Sequence, residues 1–404
     1  MDKTFQKQNL KRLGIRDVYT NANFSIVIDK KCNAACDFCV EALRSKARNS
    51  KLDDSAYLEQ LDTVLKLMRS LNTSISITGG EPTISSKLLA VLKKVNDYGF
   101  RKRVITTNGS HLLSMSSEGK TILDHIIENR FNHLNISKAS FNEADNYSLM
   151  HYSEGCTTND DLRIIIPRAN KNNLQVRMSC VINKKGIYTF EDVIQYIEFY
   201  NRMGCNQFVF RELMNYKFDK DSNREKERFY KQNFVDIQPA ILDFIEKDDQ
   251  FQLIKEVKGY YYNVLVYQYG DCSVCFEKAN LVKMKERDSK IYEFILHENG
   301  RLCGSWDDSE ELIFKMNDSE ALKEKAYIAF ILGYDLLQQE MDELDIACDD
   351  AFELANDFAT MYLQSGYQEN YHMSDFECLV QWIEHNKKEI YDLMSNMANI
   401  KKEN

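Results

Sequence analysis

The sequence predicts an α/β protein built on a parallel sheet, followed by a small β module and an α-helical C-terminal region. Three observations predict it. Six short β-prone stretches alternate with helical stretches over residues 23–214, as in right-handed βαβ units. Polar motifs stand at the carboxyl ends of these stretches, where parallel α/β folds collect their chemistry. Beyond about residue 318, apolar residues recur at helical spacing.

The chain has 404 residues, enough for two or three domains with a sizeable core. Hydrophobic residues make up 44% and charged residues 28%, ordinary values for a soluble globular protein. No apolar run approaches a membrane span, and the N-terminus lacks the apolar core of a secretory signal, so a cytoplasmic protein without a membrane partner is expected. There the 11 cysteines suit metal or cluster binding better than a disulfide framework. A net charge of −10 argues against a broad nucleic-acid surface.

Residues 1–22 are polar and partly basic (Lys11, Arg12, Arg16) and read as an arm or short helix. Asn23–Asp29 reads as a buried strand leading into Cys32-Asn33-Ala34-Ala35-Cys36-Asp37-Phe38-Cys39. Arg44, Lys46 and Arg48 follow, a solvated segment able to capture an anion. Asp53-Asp54-Ser55 caps a helix carrying Leu58, Leu61, Val64, Leu65 and Met68. Strand Ser74–Thr78 ends in Gly79-Gly80-Glu81-Pro82-Thr83, and a helix with Leu88, Val91, Leu92 and Val95 comes next. Strand Arg103–Thr107 ends in Asn108-Gly109. A helix near 122–127, strand His133–Ser137, a helix over 158–171, strand Gln175–Ile182, a helix with Val193, Ile197 and Tyr200, and strand Gln207–Glu212 complete the unit. This alternation does not distinguish an open sheet from a partial barrel.

Three thiols at C-x3-C-x2-C suit an iron–sulfur cluster. Four thiolates normally close a [4Fe–4S] cube, so three leave one iron open to another ligand. A zinc ion borrowing a fourth ligand is the alternative on spacing alone. Arg177, within an apolar run, needs a partner: either a salt bridge to Glu212 or an anionic ligand clamped by its planar fork. Cys156, Cys180 and Cys205 stand singly and read as core or surface thiols.

The cysteine loop, with Phe38 before its last cysteine, resembles the signature of the radical S-adenosylmethionine (radical SAM) family. The resemblance implies a partial (β/α)6 TIM-like barrel over residues 23–214. It implies a [4Fe–4S] cluster on Cys32, Cys36 and Cys39, its open iron chelated by the amino and carboxylate groups of S-adenosylmethionine. An electron delivered by a reducing partner such as flavodoxin or ferredoxin then cleaves the sulfonium to a 5′-deoxyadenosyl radical. Gly79-Gly80-Glu81-Pro82 is similar to the family's second signature, whose backbone binds the amino group, with Glu81 supporting the loop. Thr106-Thr107-Asn108-Gly109 is similar to the family's third strand end, and Ser137 to a serine contacting the ribose or carboxylate. Lys138-Ala139-Ser140 stands where relatives often carry an acid, which makes Lys138 available to a substrate anion. The cofactor-binding set implied is Phe38, Gly79, Gly80, Glu81, Thr107, Ser137 and Arg177.

Residues 215–258 are charge-rich and read as a helical linker, with Pro239 opening a helix. Over 259–310, Tyr260–Tyr267 and Ile291–His297 read as strands, and Glu298-Asn299-Gly300 as a hairpin turn returning Cys303. Cys272, Cys275 and Cys303 resemble the auxiliary-cluster module of the GTP 3′,8-cyclase type and the SPASM/Twitch group. They imply a second [4Fe–4S] cluster, with Cys348, Cys378 or His297 as further ligand; structural zinc is the alternative. The longer gap between Cys275 and Cys303, and an end without Gly-Gly, depart from the cyclase, so GTP is not expected as substrate. Residues 311–404 read as helices over 322–338, 346–363 and 376–394, a cap, a peptide site or a dimer surface.

The expected function is reductive cleavage of S-adenosylmethionine and hydrogen abstraction from a small-molecule or nucleotide-like substrate. Modification of a ribosomally made peptide is the alternative, although fewer than 32 residues precede the first cysteine and leave no room there for a peptide-recognition domain. A non-catalytic cluster or zinc sensor is the reading from another class.

Overall fold

The computed structural model describes residues 7–8, 18–40, 52–70, 74–100, 102–214, 224–258, 262–279, 291–304, 306, 312–314, 325, 328–329, 331–346, 348–367 and 375–402. Lys11, Arg12, Arg16, Arg44, Lys46, Arg48, Lys217–Asp221, Tyr260 and Tyr261 lie outside the described residues.

Strands β3 (Ser74–Thr78), β4 (Arg103–Thr107), β5 (His133–Ser137), β6 (Gln175–Ile182) and β7 (Gln207–Glu212) fall at the bounds the sequence predicts. Strand β2 is longer than expected, Val18–Val27, and β1 (Lys7–Gln8) pairs antiparallel with it, so this part of the arm is a strand rather than a helix. Strands β2 to β7 pair in sequence order, each parallel to the last. Helices α1 (Asp54–Ser70), α2 (Leu88–Asp97), α3 (Ile122–Glu128), α4 (Glu143–Met150), α5 (Asn159–Lys171) and α6 (Phe190–Asn201) fill the crossovers. Thr121, Thr158 and Thr189 open α3, α5 and α6 with reciprocal capping boxes.

Side chains alternate across each strand. Phe24, Ile26, Ile75, Ile77, Ile105, Leu134, Ile136, Met178, Phe208 and Phe210 bury one face of the sheet in the main core. The opposite face carries Ser25, Ser76, Thr106, Asn135, Ser137, Arg177, Ser179 and Arg211.

Later strands cover both margins of this parallel run. β8 (Phe251–Lys258), β9 (Tyr262–Tyr269) and β10 (Cys272–Ala279) form a meander whose last strand joins β7 in parallel. β11 (Ile291–Leu296) joins β2 in parallel, and the predicted hairpin returns as β12 (Leu302–Cys303), followed by β13 (Leu312–Phe314). The order is β13-β12-β11-β2-β3-β4-β5-β6-β7-β10-β9-β8.

Between β7 and β8 run α7 (Arg224–Asn233), a π-helical turn over Gln238–Leu242 and α8 (Asp243–Ile245). Near the C-terminus, helices Gln338–Glu343, Cys348–Ser365 and Asp375–Lys402 gather a separate core around Leu332, Phe358, Leu379 and Trp382. Among the described residues no helix is long and apolar enough to cross a membrane.

Candidate cluster and cofactor site

The cysteine loop leaves the carboxyl end of β2 and is gripped from two sides. On one side it runs antiparallel to the end of α4: Ala35 N donates to Met150 O (3.1 Å), Asp37 N to Leu149 O (2.9 Å), and Ala34 bridges Tyr152. On the other, α7 supplies Lys226, whose ammonium donates to the carbonyls of Ala35 (2.9 Å) and Cys36, and Tyr230, whose hydroxyl donates to Phe38 O (2.7 Å). Ala34, Cys36 and Phe38 pack on a satellite core of Leu149, Met150, Tyr152, Leu213, Phe229 and Tyr230. Cys32 is exposed, and Cys36 and Cys39 are half-buried. Burial pushes the Cys36 thiol up, the neighbouring thiols of Cys39 and Cys32 push it further, and Lys226 offsets part of this. Such mutual repulsion is relieved when the sulfurs share a cationic metal group. Among the described residues no three His, Cys, Asp or Glu side chains meet around a single ion. A cube takes each thiolate on a different iron and does not require that they do.

The glycine loop after β3 docks on the segment just before Cys32. Gly80 N donates to Asp29 O (2.7 Å) and Glu81 N to Lys31 O (2.9 Å). A Cβ on Gly79 would lie 2.3 Å from Asp29 O, and one on Gly80 2.1 Å from Lys31 O. Gly79 also holds φ +142°, a conformation side chains disfavour. The glycines are thus required by the approach of two backbones.

Glu81 is 1% exposed and accepts from Thr83 N (2.9 Å), Thr83 Oγ1 (2.6 Å), Thr107 Oγ1 and Asn108 N (2.6 Å). Burial pushes its pKa up, and these donors pull it back. Thr107 Oγ1 in turn accepts from Gly109 N (2.8 Å). Glu81 and Thr107 therefore brace the ends of β3 and β4, Glu81 in the loop-supporting role expected of it. Asn108 extends the brace by donating to Asn33 Oδ1 (2.9 Å) inside the cysteine loop. Asn33 Nδ2 then donates to the carbonyls of Glu154 (2.8 Å) and Gly155 (3.1 Å). Sequence reading missed Asn33; its place next to Cys32 was the available signal.

Comparison with known proteins agrees with this geometry. Residues 24–150 match the model of a 4Fe-4S single cluster domain, a span holding all three cysteines, the glycine loop and Asn108. The chain is similar to enzymes of the radical SAM superfamily. It is 31% identical over 94 residues to a probable GTP 3′,8-cyclase of Methanothermobacter marburgensis, covering 22% of this chain and 28% of that protein. It is 25% identical over 174 residues to the probable cyclase of Sulfurisphaera tokodaii, covering 42% and 50%. The chain thus spans half or less of the length of these relatives. Streptococcus suis SuiB bound to its precursor peptide SuiA overlays with 14% identity and a TM-score of 0.45, covering 81% of this chain and 69% of that one.

In radical SAM terms, Cys32, Cys36, Cys39, Phe38, Gly79, Gly80 and Ser137 all lie at the carboxyl ends of β2, β3 and β5. Arg177 lies apart: it pairs in register with Asn135, two residues and about 7 Å short of the level of Ser137. It donates to Gln207 Oε1 (3.3 Å), not to Glu212, which faces Lys278 (3.8 Å). Arg211 pairs with Glu277 (2.9 Å) and donates to Ser179 Oγ (2.8 Å).

Lys138 is buried and donates to Thr157 O, so its ammonium supports the loop after Cys156 instead of waiting on a substrate anion. Burial lowers its pKa to about 8, below the unfolded value. From about pH 8 up to the free-lysine range the unfolded chain holds more protons at this site, so stability rises with pH there and the strain is greatest below pH 8. Lys138→Met should therefore gain on wild type below pH 8, by roughly 3 kcal/mol at most, with the gain shrinking above it; urea midpoints across pH 7–10 measure this.

The expected auxiliary ligands are not brought together. Cys272 and Cys275 lie on β10, three residues apart, so their side chains leave opposite faces. Cys272 is buried on the helix side, where Asn201 Nδ2 donates to its sulfur (3.2 Å), while Cys275 is on the polar face, its thiol pKa pushed up by burial and pulled part of the way back by Arg177. Cys303 pairs with Ile295 at the other margin, with β11 and β2 to β7 between the two in the strand order. Cys272→Ala is accordingly expected to leave the iron content of the reconstituted protein unchanged, as read by iron and sulfide analysis. Cys180 and Cys205 are buried core thiols, and Cys156 is half-buried beside the cysteine loop.

Proposed function

We propose that the protein reductively cleaves S-adenosylmethionine and abstracts a hydrogen atom from a small polar molecule or a peptide. One observation carries this reading: the three-thiol loop follows the first of six successive parallel strands, and the segment that enters it is locked, backbone to backbone, onto the glycine loop of the second. When bound, the cluster and S-adenosylmethionine supply a 5′-deoxyadenosyl radical.

The chain's own residues prepare that chemistry. Cys32, Cys36 and Cys39 would hold three irons. Phe38, the backbone at Gly79–Gly80 and Ser137 would seat S-adenosylmethionine beside the cluster. Glu81, Thr107, Asn108 and Asn33 hold these strand ends in register. The sequential strand order, with no reversal point, supports a sheet curled into a partial barrel, since a doubly wound sheet reverses. Its polar face, carrying Asn135, Arg177, Ser179 and Arg211, would then line an enclosed chamber suited to a polar substrate and able to exclude stray water.

The test is anaerobic reconstitution with iron and sulfide, reduction, and addition of S-adenosylmethionine. The expected results are a change in the electron paramagnetic resonance signal of the reduced cluster and release of 5′-deoxyadenosine. Neither a spectral change nor 5′-deoxyadenosine in the presence of a reduced cluster would overturn the reading.

A further inference from the structure

Three carbonyls of the cysteine loop accept from side chains of α7, a helix about 190 residues further along the chain. The Lys226 ammonium donates to Ala35 O (2.9 Å) and to Cys36 O, and the Tyr230 hydroxyl donates to Phe38 O (2.7 Å). Cys36 O also accepts from Cys39 N (3.1 Å), the bond that closes the turn between two of the three thiols. The ammonium is therefore seated on that turn. Only Cα and Cβ separate the Cys36 carbonyl group from the Cys36 sulfur.

The helix that delivers Lys226 is anchored without this contact. Phe229 and Tyr230 are buried in the satellite core, and Asn233 O accepts from Lys184 N (3.1 Å) just past the end of β6. A neutral donor would satisfy the carbonyls equally, as the Tyr230 hydroxyl does for Phe38. Lysine adds a full positive charge, carried on a half-buried side chain. The acids closest to the loop are turned elsewhere: Asp37 faces His151 Nε2 (3.1 Å), and the Glu81 oxygens accept from Thr83, Thr107 and Asn108. Reducing a thiolate-held cube places one more negative charge beside this turn. Net charge around a cluster is one determinant of its potential, and a fixed cation nearby favours the more negative, reduced state.

We propose that Lys226 is a positioning residue that sets its ammonium on the Cys36–Cys39 turn and thereby raises the reduction potential of the cluster held there. The inference rests on the cluster reading of the cysteine loop, and it does not depend on whether S-adenosylmethionine is cleaved.

Redox titration of the reconstituted full-length protein, followed by electron paramagnetic resonance without S-adenosylmethionine, tests it. Lys226→Met keeps most of the stem and removes the charge. It should hold the wild-type iron content and lower the potential, so that about tenfold less cluster is reduced at a fixed poise, equal to 59 mV for a one-electron couple. Lys226→Arg keeps the charge and should stay within about twofold of wild type at the same poise. Lys231→Met removes one charge from the same helix, but that ammonium is exposed and paired with Glu227, so the potential should not move. An unchanged potential in Lys226→Met overturns the inference. So does loss of iron in that variant, which would mark a role in holding the loop alone. A fall as large in Lys226→Arg or in Lys231→Met overturns it too, since neither the charge nor its place on the turn would then be the cause. Wild-type protein that takes up no iron overturns the cluster reading and this inference with it.

Discussion

Gly80→Ala is expected to strip the protein of iron while leaving most of its secondary structure intact. The new methyl carbon would lie 2.1 Å from Lys31 O, 2.5 Å from Lys31 C and 2.6 Å from Lys30 O, all backbone atoms. A side chain could turn aside; these atoms belong to the segment that enters the cysteine loop. Relief requires breaking Gly80 N to Asp29 O and Glu81 N to Lys31 O, the two bonds that dock the loops. Overpacking typically costs about 1–3 kcal/mol, and a contact this close on backbone belongs at or above the upper end. The damage is local, because Phe24, Ile26, Ile75 and Ile77 below are untouched. Iron per chain after reconstitution should fall at least about tenfold, a difference of 1.4 kcal/mol or more in holding the cluster. Circular dichroism should stay near wild type. Full iron loading in this variant would show that the loops can part without harm.

Glu81→Gln is expected to give the second-largest effect, and on stability as well as loading. Glu81 Oε1 accepts from both donors of Thr83 and from Thr107, and Oε2 accepts from Asn108 N. An amide keeps one oxygen and turns the other position into a donor. That donor would face Asn108 N–H, leaving a buried backbone group unpaired at a cost of about 1–3 kcal/mol. The urea midpoint should fall accordingly. Iron occupancy should fall too, because Asn108 carries the brace on to Asn33. Aspartate, one methylene shorter, should not restore either quantity. A stability equal to wild type would mean that the carboxylate is dispensable to the brace.

Much of the parallel unit was legible in the sequence because each strand is short, β-branched and sharply ended. Arg103–Thr107 stops at Asn108-Gly109, and Ser74–Thr78 stops at a glycine pair. Helix α4 was not legible: of its eight residues only Asn146, Leu149 and Met150 are buried, too few to show a helical period. Strand β8 was hidden for another reason. It is an edge strand bearing Lys255, Glu256 and Lys258, and charge on an edge masks β-propensity while discouraging wrong pairing.

The site divided in the same way. Cysteine and glycine spacing pointed to the loops, since both motifs are local. The roles of Glu81 and Asn33 depend on contacts between segments far apart in sequence. The downstream cysteines illustrate the limit. The hairpin at Asn299-Gly300 and the return of Cys303 were read correctly, but not the edge that the hairpin joins.

That edge bears on how the protein is made. One flank of β2 is filled by β11, and Lys30 N is tied to Glu298 Oε2 (2.8 Å), 268 residues later. A ribosome adding about 5–20 residues per second leaves that flank open for tens of seconds. During this interval the strand leading to the cysteines is a bare template for mispairing, and so long a loop closes slowly. The segment that carries the cluster ligands is synthesised long before the strand that encloses it. Metal loading in the cell is therefore expected to follow the emergence of β11.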